Sequence, residues 1–419
     1  MGKPDTTCQR TPADPVTAGD ADILRGAFMR TDNSLKILFF INFAVSLGFA
    51  VSDAYFSVYV TGLGARGLMF ASAIGLYAAA KILFCPLAGM LGDRLGSRRL
   101  IIFSITLYSL IAFLYMQSNN LLIVTALRTA QGLSTAIFRP VLLSAAGSAA
   151  PRGRRASSLG GFDISFYSAA ALGPLMGGLV KDHFGFTGLF MVLFVLCLSA
   201  LAAAMFLPSG TRSRGIAENG APMKDIAGNP VIASLLFFIF GRAYTIATMC
   251  VFLPVFMESR MGATGFQTGI VLSSTTLSMI LFLRPMGRLA DRLSRKVMVV
   301  GGGIYASALV FLAADTGSFY GMLFLCVCAG IFGAVSQPAS SSLLVEEGER
   351  LGLGRTAGLF NSVMNLGFTA ASFIGALILS ALDIRVVFYT AGVVGMVSVL
   401  ACLVLISVVP SAEADIKTI

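Results

Sequence analysis

The sequence predicts an all-α integral membrane protein with twelve transmembrane helices in two pseudo-symmetric six-helix bundles. Three observations predict it. Of 419 residues, 56% are hydrophobic and only 12% charged, and the mean hydropathy is +0.85, an apolar load that a water-soluble core does not hide. Runs of about 20 apolar residues recur between polar breaks, the length that crosses roughly 30 Å of hydrocarbon. Finally, GMLGDRLGSRRL (89–100) returns 198 positions later as GRLADRLSRK (287–296).

Taken in order, residues 1–35 are polar, lack the apolar core of a signal peptide, and read as a disordered cytoplasmic tail before an uncleaved first span. Apolar segments follow at 36–60, 69–91, 99–117, 121–147, 158–181 and 187–207, the N-terminal bundle over 36–207. The stretch 208–230, PSGTRSRGIAENGAPMKDIAGNP, is the longest polar interruption and reads as a cytoplasmic linker. Segments at 231–257, 266–287, 297–314, 318–344, 354–381 and 385–409 form the C-terminal bundle over 231–409, and 410–419 is a second cytoplasmic tail.

The offset of 198 also takes Gly132 to Gly330, Pro140 to Pro338, and GGFD (160–163) to GLFN (358–361). One period across three hairpins implies a duplicated six-helix unit, its halves related by an axis along the membrane normal, with a binding site between them. Alternate turns hold Arg94, Arg98, Arg99, Arg152, Arg154, Arg155, Arg212, Arg214, Lys224, Arg288, Arg292, Arg295, Lys296, Arg350 and Arg355. The opposite turns hold only Arg66, Lys181, Arg260 and Arg385. This asymmetry places both termini in the cytoplasm of a multi-pass cell-membrane protein, of bacterial inner-membrane type, and accounts for the net charge of +10 without nucleic acid.

Ionisable residues inside the apolar runs are costly and point to function. They are Asp53, Lys81, Arg128, Arg139, Asp163, Arg242 and, close enough to a helix end to snorkel, Arg284. A rise of 1.5 Å per residue puts Asp53 and Arg128 both ~10–12 Å inside one face, and Arg139 and Asp163 both ~8–12 Å inside the other, so two ion pairs are expected. Asn42, Ser46, Phe49, Asp53 and Phe56 share one face of the first helix, and Arg128, Thr135 and Arg139 one face of the fourth. Asp53 ranks above Asp163 as proton carrier, because the repeat mate of Asp163 is Asn361. Lys81 and Arg242 are left without acidic partners. If they face the cavity, they suit an anionic or zwitterionic substrate, with Asn42, Phe49 and Thr135 beside them; otherwise Lys81 is neutral or both bond to backbone carbonyls.

Four groups of residues resemble the major facilitator superfamily, over about 36–409. Gly89, Leu91, Asp93, Arg94, Gly96 and Arg98 are similar to its signature between helices 2 and 3, with Ser97 where a basic residue is usual. Gly287, Leu289, Asp291, Arg292, Arg295 and Lys296 repeat it with Ser294 in place of the second glycine. VTALRTAQGLSTA (124–136) is similar to the helix 4 pattern through Arg128, Gln131 and Gly132. Gly173, Pro174, Gly177 and Gly178 match the helix 5 pattern associated with antiporters, with Ala169 replacing one glycine. The resemblance implies the major facilitator fold and the drug:proton antiporter-like, twelve-helix branch, hence export of a small molecule in exchange for protons. Physically, the charged turns act either as a latch on the cytoplasmic face or as a topology anchor. The small residues of helix 5 allow either rocking or static close packing.

Separating Asp53 from Arg128 as the bundles rock would expose a carboxylate that favours protonation in a dry medium. Proton-coupled uptake of an organic anion, or a nontransporting receptor or assembly role, remain the alternatives. One histidine, His183, and seven scattered cysteines, with Cys326 and Cys328 lacking a metal or redox spacing, predict no enzyme, cofactor or metal site. The expected partners are a small-molecule substrate, protons and the bilayer, with the chain acting as a monomer.

Overall fold

The computed structural model describes residues 18–149, 155–208, 228–290 and 292–407, with side chains for 34–84, 96–149, 162–208, 228–290, 292–352 and 355–407. Among these residues the regular structure is all helix, with no strand. That is what lipid demands of a chain of this composition, because a helix satisfies its own backbone polar groups. α1 (Ala18–Asp53) and α2 (Phe56–Gly62) together make the first crossing. α3 (Gly67–Leu95), α4 (Ser97–Gln117) and α5 (Leu121–Ala149) make the next three.

α6 (Arg155–Met205) makes two crossings, because Gly185 (φ 64°, ψ −164°) reverses the chain in a conformation that costs glycine little. The second half repeats the plan with α7 (Pro230–Met261), α8 (Gly265–Ala290), α9 (Arg295–Ala313), α10 (Phe319–Leu351), α11 (Leu353–Ala381) and α12 (Ile384–Ser407). Among the described residues, eleven helical stretches are long and apolar enough to span a bilayer, and the two arms of α6 on either side of Gly185 bring the passages to twelve.

Two elements depart from the sequence expectation. α1 begins at Ala18, so part of the stretch expected to be disordered has helical backbone. Its residues ADILRGAFMR are mostly good helix formers. The first crossing is also interrupted, between Asp53 and Phe56, where a continuous helix over 36–60 is expected. Ser52 Oγ donates back to the carbonyls of Gly48 and Phe49, both at 3.1 Å, an arrangement that bends helices. Tyr55, next to the break, donates its hydroxyl hydrogen to Pro174 O (2.9 Å) and Gly265 O (2.7 Å), which pulls the chain out of helical register.

The packing carries the repeat. In the first half α3 packs on α5, α4 on α5 and α6, and α1 on α6; in the second α8 packs on α10, α9 on α10 and α12, and α7 on α11 and α12. The halves meet along α6 with α8 and along α3 with α11, two contacts that the internal symmetry exchanges. Small residues admit this closeness, as expected where lipid gives no hydrophobic drive between helices. A Cβ on Gly173 would overlap Ala50, and one on Gly178 would overlap the backbone of Gly265. Leu83, Leu122, Leu281 and Val404 are among the large apolar side chains left exposed.

Candidate functional site

Asp53 is the last residue of α1, so its carboxylate sits where the first crossing breaks. Arg128 Nη2 donates to Asp53 Oδ1, and Arg128 Nη1 donates to Gln131 Oε1 at 2.9 Å. Gln131 Oε1 also accepts from the Tyr115 hydroxyl at 3.3 Å. Around the guanidinium stand the rings of Phe56 (4.1 Å to the centroid), Tyr77 (4.5 Å) and Phe49 (5.7 Å). Phe49 and Tyr77 stack on each other at 5.7 Å. Thr135 fixes this wall, since its hydroxyl accepts from Tyr77 at 3.2 Å, pairs with Tyr108 at 2.6 Å and donates to Gln131 O at 2.9 Å.

The two charges are unequally enclosed, with 5% of the Arg128 side chain exposed against 34% of Asp53. Arg128 therefore keeps an amide acceptor and three aromatic faces if the carboxylate leaves or is neutralised. Each face contributes about 0.5–2 kcal/mol. When the pair opens, Arg128 keeps these neutral contacts, although its Nε is buried without a hydrogen-bond partner, while Asp53 remains reachable.

The other singled-out charges are not joined in the expected way. Arg139 lies over Phe166, its guanidinium 3.8 Å from the ring centroid. Asp163 is the acidic group whose field reaches it, but the ion pairs among the described residues do not join Arg139 to Asp163. Arg242 Nη1 donates to Gln337 Oε1, whose Nε2 reaches Ser341 Oγ at 3.5 Å. Lys81 Nζ lies 5.3 Å from the Tyr77 ring centroid, one helical turn behind the Arg128 wall. Asn42 is buried and donates to Phe162 O (3.2 Å) and Ser165 Oγ (2.7 Å), which pins α1 to α6 and turns it away from any open space.

At the end of the molecule away from the basic turns, a clasp joins the halves. Asp182 accepts from Gly265 N and Phe266 N, both at 2.8 Å, and so caps α8 from the opposite half. Thr264 and Gln267 complete that start as a capping box, with Thr264 N to Gln267 Oε1 at 3.0 Å and Gln267 N to Thr264 Oγ1 at 3.2 Å. Lys181 pairs with Glu258 at 2.7 Å, and Leu175 N donates to Ser273 Oγ at 3.1 Å.

The helix 5 residues form part of the same seam. Gly177 packs on Val51 and Tyr55, Pro174 O accepts from Tyr55, and Pro174 and Leu175 lie against Gly269. On the other seam Phe373 covers Gly75, and beside it Phe70 of α3 meets Phe252 of α7 at 5.8 Å between centroids. None of Tyr55, Tyr77, Tyr167, Asp182 or Gln337 stands out as a site residue in the sequence, although T-x-x-Q at 264–267 marks the helix start that Asp182 caps.

At the basic end, Gly96 adopts φ 84° ahead of α4, and Arg98 Nη2 donates to Met205 O at 2.7 Å, which ties the α3–α4 turn to the end of α6. Gly89, Asp93 and Arg94 lie on α3, but their side chains fall outside the described residues, as does all of Asp291. Arg292 is exposed in the turn after α8, a Cβ on Gly287 would meet nothing, and Arg295 pairs with Glu346 at 2.9 Å.

The model of the Major Facilitator Superfamily matches residues 38–269 and 237–418, which together take in nearly the whole chain. The chain belongs to the major facilitator superfamily. Among its relatives, an uncharacterised MFS-type transporter of Methanocaldococcus jannaschii is 23% identical over 360 residues, 83% of this chain and 90% of that one. The multi-drug resistance efflux pump PmrA of Streptococcus pneumoniae is 23% identical over 379 residues, 85% of this chain and 92% of the pump. The fold matches that of a variant of the nucleoside transporter NupG with a TM-score of 0.72 at 15% identity, covering 89% of this chain and 98% of the other. A superfamily transporter handles small molecules within the membrane, and that much holds for this chain.

Proposed function

We propose that the protein is a proton-coupled efflux carrier which exchanges protons for a small organic molecule by alternating access. The observation that carries this reading is the Asp53–Arg128 pair, a titratable carboxylate at a helix break beside an arginine with other partners to fall back on. The basic turns face the cytoplasm, both termini lie on that side, and the chain works as a monomer in a bacterial inner membrane. On that orientation the clasp closes the outer face.

In this cycle a proton arriving from outside neutralises Asp53 and releases it from Arg128. The two halves then tilt on the α6–α8 and α3–α11 seams, and deprotonation toward the cytoplasm restores the pair. Relatedness to an efflux pump supports the direction. Asp163 and Arg139, near the cytoplasmic ends of their helices, complete the polar lining.

The test uses proteoliposomes with an imposed pH gradient. Asp53→Asn is expected to abolish gradient-driven movement of a cargo while retaining gradient-free exchange. Full gradient-driven transport by that variant would exclude Asp53. A second reading, proton-coupled uptake of an organic anion, is favoured by Arg242, whose partner is a neutral amide. The same assay separates the two by the side on which the cargo accumulates.

A further inference from the structure

The ion pair leaves a second set of polar groups unused, nearer the basic end. Arg139 on α5 has one face of its guanidinium covered by Phe166, which leaves its N–H edges available. Arg242 on α7 reaches across to Gln337 on α10. Position 337 is the repeat mate of position 139, 198 residues on. The C-terminal half therefore brings a guanidinium, that of Arg242, to the side chain at the repeat position of Arg139. The same positive group stands on both sides of the internal axis although it comes from helices that are not repeat mates.

Tyr167 on α6 neighbours Phe166 and interacts electrostatically with both arginines, although Arg242 belongs to the other half. Its ring lies 5.6 Å from that of Phe166, so the two rings form a short apolar wall beside the cations. Among the described residues, no carboxylate lies within ion-pair distance of either Arg139 or Arg242. Two positive charges with only neutral or distant partners in a membrane domain call for an anion from outside the chain.

The geometry points to Arg139, Arg242 and Tyr167 as the cargo's anion site, and to an organic carboxylate with an apolar, aromatic body as the cargo. This rests on the carrier reading above and gives that carrier a substrate class. The carboxylate replaces the Gln337 amide as the acceptor for Arg242, exchanging a neutral hydrogen bond for a charge-assisted one. It takes its second contact from Arg139, with the Tyr167 hydroxyl donating between them and the apolar body on Phe166. A ligand held by one arginine from each half draws the halves together at the basic end, so binding favours closure there.

The experiment compares benzoate with benzamide, its neutral isostere, by thermal unfolding of the purified full chain in detergent, since a ligand stabilises the folded state by mass action. Benzoate is expected to raise the melting temperature and benzamide to leave it unchanged. Arg139→Gln and Arg242→Gln should each abolish the difference, and Tyr167→Phe should weaken the apparent benzoate affinity by about tenfold. Equal stabilisation by both compounds, no stabilisation by benzoate, or an undiminished benzoate effect in Arg242→Gln would overturn the proposal. Should a glutamine variant fail to fold, Arg242→Lys keeps the charge but loses the fork, and is expected to bind benzoate more weakly; unchanged affinity would also overturn it. Binding is read without a gradient or a membrane, so its failure leaves the proton-coupling reading to be judged by the transport assay alone.

Discussion

At the scale of single residues, the asymmetry of the Asp53–Arg128 pair decides what substitution does. Arg128→Met strands a carboxylate inside the bundle, and breaking a buried pair in this way costs about 3–5 kcal/mol. The lower end applies here, because a third of the Asp53 side chain remains exposed. Asp53→Asn leaves Arg128 with Gln131 and three rings, and is expected to cost clearly less. The double variant should recover most of the loss of Arg128→Met. Unfolding in mixed micelles measures all three, and a double variant no more stable than Arg128→Met would show that the pair is not a unit.

Asp53 and Arg128 are legible in the sequence because a charge in an apolar run has no bland explanation and the helical rise sets both at one depth. Tyr77, Tyr115 and Tyr167 are not, because an aromatic in such a run looks the same whether it faces lipid, a neighbouring helix or a guanidinium. Asn42 shows the limit of periodicity. It shares a face with Asp53, yet that face is wide enough to meet α6 at one level and Arg128 at another.

At the scale of elements, the clasp holds the far ends of the halves together through a helix start that is capped twice. Asp182→Ala removes one cap and leaves the Thr264–Gln267 box, for a loss of about 1 kcal/mol. That corresponds to about a fivefold shift toward conformations open at the clasp. Gly178→Val drives a side chain into the Gly265 backbone and should shift the balance further. The readout is alkylation of Ser273→Cys by a bulky maleimide, because Ser273 is buried in the seam where Leu175 bonds it. Faster labelling in both variants is expected, and unchanged labelling would mean that the clasp does not set the conformational balance. The helices themselves were readable from run length. The break after Asp53 was not, because neither proline nor glycine marks it, and its cause is the distant pull of Pro174 and Gly265 on Tyr55.

At the scale of the whole molecule, the repeat of 198 positions reappears as two equivalent seams, α6 with α8 and α3 with α11. The family and the twelve crossings were legible because composition, run length and internal period all report on the same duplicated unit. The pairing of Arg242 with Gln337 was not, because it joins residues that the repeat does not relate to each other.

The proposed cycle turns, at all three scales, on a proton that neutralises Asp53 and releases it from Arg128 before the halves tilt. Infrared difference spectroscopy of the reconstituted protein, taken between mildly alkaline and mildly acidic buffer, observes that proton directly. The account predicts a protonated-carboxyl band that grows on acidification in the wild-type protein and is missing from Asp53→Asn. A band of equal intensity in both proteins would contradict it.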